Sequence, residues 1–280
     1  MPFLELFDET LDINSTENYE LSVQVSVDDL SFCILDTLRN KFVLLRSYEP
    51  EDNSRFDPFR LNEIIKKDDF LIRHYRKTRV ITSTSKSTLV PAPLFDDSKK
   101  ADYLDFNQIP SDGDRVLTNK LRDPDVVIIF PMPEGIADIL NSIFPGSLLM
   151  HQLKPLFQCI CTGRRSVGSN NVHVHLEGDY LNMIIFDQNT LKFCNTFHYR
   201  TISDIEYYVL YVLKRMNVSQ VDTVYFSGRV IKQEEVLHAF SNYLSNIRFP
   251  VPEGNYTFSY VFNEKELNKF LILFTAASCE

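Results

Sequence analysis

Glycine is scarce in this chain: there are 8 in 280 residues, and none precedes Gly113. A Rossmann domain needs an early Gly-rich turn between a strand and a helix, so that fold is excluded. Tryptophan is absent, and the aromatic volume of any core must come from 22 Phe and 13 Tyr. Positive charge is also short. Twenty-nine Lys and Arg face 38 Asp and Glu, a formal net charge of −9, which argues against nucleic acid as the main partner because phosphate binding needs clustered cations. No apolar run approaches the ~18–20 residues that span a bilayer. The stretch Met1 to Glu9 is acidic and lacks a basic start or a long apolar centre, so no secretory signal is expected there. Cys33, Cys159, Cys161, Cys194 and Cys279 are odd in number and irregularly spaced. They form no disulfide framework on sequence grounds, and a reducing cytoplasm is the expected compartment. No Gly-x-Ser-x-Gly occurs, so no nucleophile elbow is expected.

What is present reads as folded protein. Hydrophobic residues make up 44% and charged residues 24%, which is globular composition and not that of a disordered chain. The length suits one large domain or two of ordinary size.

Residues 1–20 are polar and acidic and read as an extended arm. From Leu21, apolar Leu21, Val23, Val25 and Val27 alternate with Ser22, Gln24 and Ser26, the period of a half-buried strand. Turns at Asp28-Asp29 and at Asp36 to Asn40 then separate two further strands, Leu30 to Leu35 and Lys41 to Tyr48, completing a meander. The pattern returns at residues 172–199. At an offset of 151 the two segments share Val23/Val174, Asp28/Asp179, Leu30/Leu181, Ile34/Ile185, Asp36/Asp187, Lys41/Lys192, Phe42/Phe193 and Tyr48/Tyr199. Chance at average composition gives roughly two identities over such a stretch.

The elements that follow repeat as well. Each half continues with a helix (Phe56 to Phe70; one opened by a capping box at Ser203 to Glu206), a strand (Arg79 to Thr84; Thr223 to Ser227) and another helix (Leu94 to Phe106; Lys232 to Asn246). The first half adds strands Arg115 to Leu121 and Val126 to Phe130, helix Glu134 to Ile143, strand Ser147 to His151 and helix Lys154 to Ile160. The second closes with strand Thr257 to Phe262 and a helix from Asn263. The expected organisation is an arm at 1–20, a first lobe at 21–161, a Gly/Ser/Asn linker at 162–171 and a second lobe at 172–280. Strands then helices in this order describe a ribonuclease-H-like α/β unit. Two in tandem make the expected fold class, α/β with an actin-like ATPase arrangement.

The segments Tyr19 to Ser26, Leu30 to Asp36 and Leu89 to Phe95 resemble a bacterial family of unknown function, domain-of-unknown-function family 3822, over most of the chain from about Asp8. That resemblance implies an actin-like ATPase fold with no established activity. The layout Val127 to Pro131, Ile136 to Phe144 and Leu148 to Phe157 is also similar to the wider actin, Hsp70 and sugar-kinase superfamily. Its ATP-binding members wrap phosphates in two Gly-containing hairpins, with Asp residues holding Mg²⁺ through water.

Those demands can be compared with the residues present. The first hairpin falls at Val27 to Ser31, where Asp28 and Ser31 remain but Leu30 stands where close approach is needed. The second falls at Glu177 to Leu181, with Gly178 and Asp179 but a bulky Tyr180. The adenosine turn is Ser227-Gly228-Arg229, with one Gly where two are usual. No acid stands at the start of the inter-lobe helix near His151 to Lys154. A weakened Mg·ATP site would use Asp28, Ser31, Gly178, Asp179 and Gly228. Local turn preference accounts for the same residues without a cofactor, and loss of the cradle removes the charge stabilisation that phosphoryl transfer requires. His173 and His175, at i, i+2 on a strand, and Cys159 with Cys161 lack a second pair at metal-site spacing. Arg164-Arg165 reads as solvated linker. Strand Leu21 to Val27 contains no acid, which argues against two-metal ribonuclease H chemistry. The expected function is a non-catalytic cytoplasmic interaction or scaffolding protein with a protein or peptide partner and a degenerate nucleotide cleft. The alternative is an atypical nucleotide-binding ATPase or kinase.

Overall fold

The computed structural model describes residues 2–26, 28–49, 57–109, 111–163, 170–229 and 233–279. The chain divides into two compact units. The first comprises residues 1–159, 253–263 and 272–280, the second residues 160–252 and 264–271.

In the first unit, β1 (Leu4–Phe7) precedes the meander of β2 (Tyr19–Val25), β3 (Leu30–Asp36) and β4 (Lys41–Tyr48). Helix α1 (Pro58–Lys67) starts where Asp57 accepts the Arg60 N–H at 2.7 Å and Pro58 supplies a preset first turn. Its Leu61 and Ile65 enter the core. Strand β5 (Lys77–Thr82) runs parallel to β2. A separate three-stranded sheet follows, made by β6 (Thr88–Pro91), β7 (Asp114–Lys120) and β8 (Val126–Pro133), with helix α2 (Lys100–Asn107) placing Leu104 against Val90, Val127 and Ile129. Helix α3 (Glu134–Ile143) packs Ala137 and Leu140 into the same core as Leu61, Val23 and Phe32. Strand β9 (Leu148–His151) pairs with β5, and α4 (Leu153–Gly163) leads out.

In the second unit, β10 (Asn170–Leu176), β11 (Tyr180–Asp187) and β12 (Thr190–His198) form the second meander. Helix α5 (Ile202–Arg215) is opened by a capping box of Thr201 and Asp204, two residues ahead of the Ser203 expected from sequence. The Thr201 hydroxyl is placed by the end of the meander, and Asp204 reaches back to it. Strand β13 (Thr223–Gly228), helix α6 (Gln233–Phe240) and strand β14 (Asn246–Arg248) complete the sheet. The expected helix from Lys232 to Asn246 stops at Phe240 because Asn246 to Arg248 pair with β13 instead; Lys232 itself lies outside the described residues.

The two meander sheets have the same topology. The order β4-β3-β2-β5-β9 in the first matches β12-β11-β10-β13-β14 in the second. Val25 faces Leu30 and Leu176 faces Leu181, so the offset of 151 holds through β2/β10 and β3/β11. In both meanders the pairing of the second strand with the third shifts at the equivalent place, after Ile34 and after Ile185. There Ile34 pairs with Leu44 but Ile185 with Phe193, an offset of 149, because the second turn is two residues shorter. The identities Lys41/Lys192, Phe42/Phe193 and Tyr48/Tyr199 are therefore not structural equivalents, whereas the earlier ones are.

Two further expectations change. The segment read as an arm contributes β1, antiparallel to β4, anchored by Arg46 to Glu5 at 2.6 Å and Lys41 to Asp8 at 2.8 Å. The C-terminal stretch does not close the second sheet. Strand β15 (Thr257–Phe258) pairs with Lys41 and Phe42 of β4, and its Phe258 stacks on Phe42 with ring centroids 5.4 Å apart. The last helix is broken into α7 (Glu264–Lys269) and α8 (Leu271–Thr275). Asn268 of α7 donates to the carbonyls of Phe226 and Pro250 in the second unit, while Phe274 of α8 meets Phe42 edge-on in the first.

Candidate functional site

The first candidate hairpin joins β2 to β3. The Ser26 hydroxyl sits at its centre. It accepts the N–H groups of Asp28 at 3.0 Å and Asp29 at 2.9 Å, and donates to the Asp29 carboxylate. The Ser26 N–H donates to the Asp29 carbonyl at 2.9 Å. Asp29 is buried, and its second carboxylate oxygen accepts the Ser31 hydroxyl at 2.7 Å. Ser31 is buried beneath the turn, 2.9 Å from the Ser47 hydroxyl. Thus the described turn N–H groups serve a side chain of the turn, and Ser31 faces the sheet interior. Asp28, half-exposed, and Ser31 are brought to one hairpin but not to one surface.

The second hairpin joins β10 to β11 at the same place in its own sheet. The Glu177 N–H donates to the Tyr180 carbonyl at 2.9 Å, the counterpart of Ser26 and Asp29 at an offset of 151. Gly178 and Asp179 are exposed. Gly228 ends β13 directly beside Leu176, so the structure gathers Gly178, Asp179 and Gly228 at one end of β10 and β13. Gly228 has φ +85°, and a Cβ there would collide with the Leu176 carbonyl oxygen and lie 2.9 Å from His175 Cε1. The requirement for glycine is met locally, by backbone conformation and by the neighbouring strand.

A cluster that the sequence reading did not find lies beneath this hairpin. His175 Nδ1 is 2.9 Å from the Ser227 hydroxyl, and its Nε2 is 3.2 Å from Glu177 Oε1. With the carboxylate accepting from Nε2–H, Nδ1 accepts from Ser227. Arg229 Nε lies 4.0 Å from Glu177 Oε2, and the Tyr199 hydroxyl donates to the Glu177 carbonyl at 2.7 Å. Burial, followed by the Glu177 and Asp179 charges, pushes the Tyr199 phenol up to about 12. Hydroxyl, imidazole and carboxylate follow the order of a nucleophilic triad. Ser227 is only 3% exposed and His175 fully buried, and the arrangement ties β10 to β13. The signal available in the sequence was the pair His175 and Glu177, two residues apart on one strand face. His173, two residues from His175 on β10, stacks on Tyr225 at 4.7 Å.

At the head of α4, His151 stands near where the superfamily places an acid. It is fully buried. Its Nδ1 accepts the Leu153 N–H and its Nε2–H donates to the Thr84 carbonyl, both at 3.2 Å, which fixes the neutral tautomer. Burial pushes its pKa down to about 4, against the Thr84 hydrogen bond, which raises it. Asn119 holds the His151 N–H at 2.7 Å. Arg164 and Arg165 lie outside the described residues.

Comparison with known proteins bears on this geometry. The family described as Protein of unknown function (DUF3822) matches residues 8–247. The chain belongs to the DUF3822 family. No curated protein matches the sequence. Among solved structures, this DUF3822 member is similar to a Bacteroides thetaiotaomicron protein with an actin-like ATPase fold and unknown function. The TM-score is 0.83 at 20% identity, covering 97% of this chain and 100% of that one. It is also similar to the PilM–PilN type IV pilus biogenesis complex, with a TM-score of 0.61 at 11% identity over 92% of this chain and 96% of that one. The DUF3822 chain thus has the actin-like ATPase fold, and the duplicated sheets are its two ribonuclease-H-like halves. Among the described residues no helix is long and apolar enough to cross a membrane.

Proposed function

We propose that this DUF3822 protein is a non-catalytic interaction or scaffolding protein, cytoplasmic, whose phosphate hairpins persist as structure. The observation that carries the proposal is the Ser26 hydroxyl, which accepts both the Asp28 and Asp29 N–H groups. In an ATP-binding hairpin those groups face phosphate oxygens. Here a phosphate would have to displace an intrachain acceptor and approach the buried Asp29 carboxylate, whose negative charge repels it. In the second unit the glycine at 228 is explained by the Leu176 carbonyl and His175, and the only Gly of the hairpin turn, Gly178, is followed by Asp179 and the large Tyr180. The residues present do not fit a Mg·triphosphate. The likeness to PilM–PilN, a complex of two proteins, supports a protein or peptide as the partner of this fold.

The test is a thermal-shift titration with Mg·ATP, since a ligand that binds only the folded state raises the melting temperature with its concentration. The proposal expects no shift at millimolar ligand and no hydrolysis. An atypical ATPase or kinase would give a saturable shift, lost in Asp28→Ala and Asp179→Ala while folding is kept, and that result overturns the proposal.

A further inference from the structure

The internal duplication supplies two copies of the same edge strand in different surroundings. In the first unit β4 is mostly buried, because its outer edge is occupied. β1 pairs with it antiparallel from Leu44 to Ser47, and β15 pairs at Lys41 and Phe42. The equivalent strand of the second unit is β12. It has β11 on one side and, among the described residues, no strand on the other. None of its nine residues is buried. An unpaired strand edge of this length presents a row of main-chain donors and acceptors, which folded proteins normally cover.

The edge has a definite register. The Thr196 N–H donates to the Asn195 side chain at 2.9 Å, so that main-chain donor faces away from β11 and is filled by a local substitute. Its structural equivalent at the offset of 149 is Ser47, whose carbonyl accepts the Phe3 N–H at 2.8 Å beside β1. Cys194 and Thr196 therefore stand where Leu45 and Ser47 receive a strand.

Side-chain chemistry then identifies the occupant. Past the irregularity, Phe193, Asn195 and Phe197 lie opposite Ile185, Met183 and Leu181, on the face covered by α5. Phe193 and Phe197 are stacked at 6.3 Å, Phe197 stacks on Tyr208 at 4.8 Å, and the ladder continues through Tyr207 to Tyr211, both exposed. An incoming strand must set apolar groups beside Phe193 and Phe197 and an uncharged group beside Asn195. The segment Phe193 to Phe197 meets that demand itself. Antiparallel about a two-fold axis at Asn195, it places Phe193 beside Phe197 of the second copy at both ends, Asn195 beside its own copy, and Cys194 beside Thr196. No like charges face one another over this stretch, and isologous two-fold contacts are the commonest kind.

We infer that a second copy of this chain covers the β12 edge, joining two five-stranded sheets into one through residues 193–197. The inference deepens the interaction reading and rests on it, in naming the partner as this chain. Its test is separate, because sedimentation reads association and the ATP titration reads ligand binding, so either can fail alone.

The experiment is sedimentation velocity on the full chain with Asn195→Lys, Asn195→Asp and their equimolar mixture. Asn195 is exposed, and unchanged circular dichroism and melting of the separated variants confirm folding. Wild type is expected to dimerise at micromolar concentration. Each variant sets like charges directly opposite at the axis and should weaken the dimer at least about tenfold. The mixture pairs Lys with Asp and should restore it. A wild type that stays monomeric to near-millimolar concentration, a dimer indifferent to both variants, or a mixture that fails to recover would each overturn the inference; the first outcome would leave the edge to a strand of another polypeptide.

Discussion

Replacing Gly228 by alanine separates a glycine kept for packing from one kept for a nucleotide. Gly228 sits at φ +85°, which costs an alanine about 1–2 kcal/mol. Its Cβ would meet the Leu176 carbonyl oxygen, a backbone atom held in place by the Arg229 N–H at 2.7 Å, and would lie 2.9 Å from His175 Cε1. Neither neighbour is a free end. The carbonyl belongs to the β10–β13 ladder, and the imidazole is pinned between Ser227 and Glu177. Forcing them apart adds about 1–3 kcal/mol, for a total of about 2–5 kcal/mol against the ~5–15 kcal/mol that folded domains possess. Gly146→Ala is the control. Gly146 has φ +73° with nothing within 4 Å of an added Cβ, so only the conformational cost applies. Urea denaturation without any nucleotide measures both as shifts of the midpoint at constant slope. Gly228→Ala should lose at least about 1 kcal/mol more than Gly146→Ala. Equal losses would refute the packing argument, and an unperturbed Gly228→Ala would return the position to the nucleotide reading.

Ser26→Ala removes the acceptor of two turn N–H groups and a donor to buried Asp29, and should cost about 1–3 kcal/mol in the same denaturation assay. A cost within error of zero would mean that water replaces the hydroxyl freely. Arg46→Ala leaves the buried Asp68 without the cation 2.8 Å away and releases Glu5 of β1. The expected loss is about 3 kcal/mol, with faster proteolysis ahead of Asp8, and unchanged cleavage would argue against Arg46 as the anchor of β1. Acid sensitivity should have two windows. Unfolded His151 binds its proton near pH 6.5, folded His151 only near 4, so between these values the unfolded state holds more protons and stability falls as pH falls. The loss at pH 5 is about 2 kcal/mol, and His151→Asn should flatten it. Asp8 is raised by burial but lowered more by Lys41, Ser259 and Thr10, so its folded value lies below its unfolded one. Its stabilisation is therefore complete above the unfolded value and disappears as pH falls below about 4, a phase that Asp8→Asn should lack.

The parts of the fold that were legible in the sequence are those fixed by local pattern. Val23 and Val174, Leu30 and Leu181, and Ile34 and Ile185 mark the same positions in two sheets because alternation and equal turn length leave only one register that buries them. What escaped depended on partners distant in the chain. Leu4, Leu6 and Phe7 surround Glu5 in only four residues ahead of Asp8 and Glu9, too short a pattern to indicate a strand until Arg46 and Lys41 supply cations at the edge of β4. Thr257 and Phe258 pair with β4 and not with β14 because Phe42 offers aromatic surface to Phe258, Tyr256 and Phe274. At the candidate site, glycine scarcity raises the expectation of crowded hairpins, but it gives no hint that the Ser26 hydroxyl accepts two turn N–H groups or that His175, Glu177 and Ser227 lock the second hairpin from below. Serine and histidine carry too many roles for composition to separate them. The duplication supplies the separation, since each half acts as the other's control. Where the halves agree, as in the hydrogen bond from residue 26 to 29 and from 177 to 180, the fold alone is the cause. Where they differ, as at the outer edges of β4 and β12, Arg46 with its acidic strand has become Asn195 between two phenylalanines, and that change of chemistry specifies a change of partner.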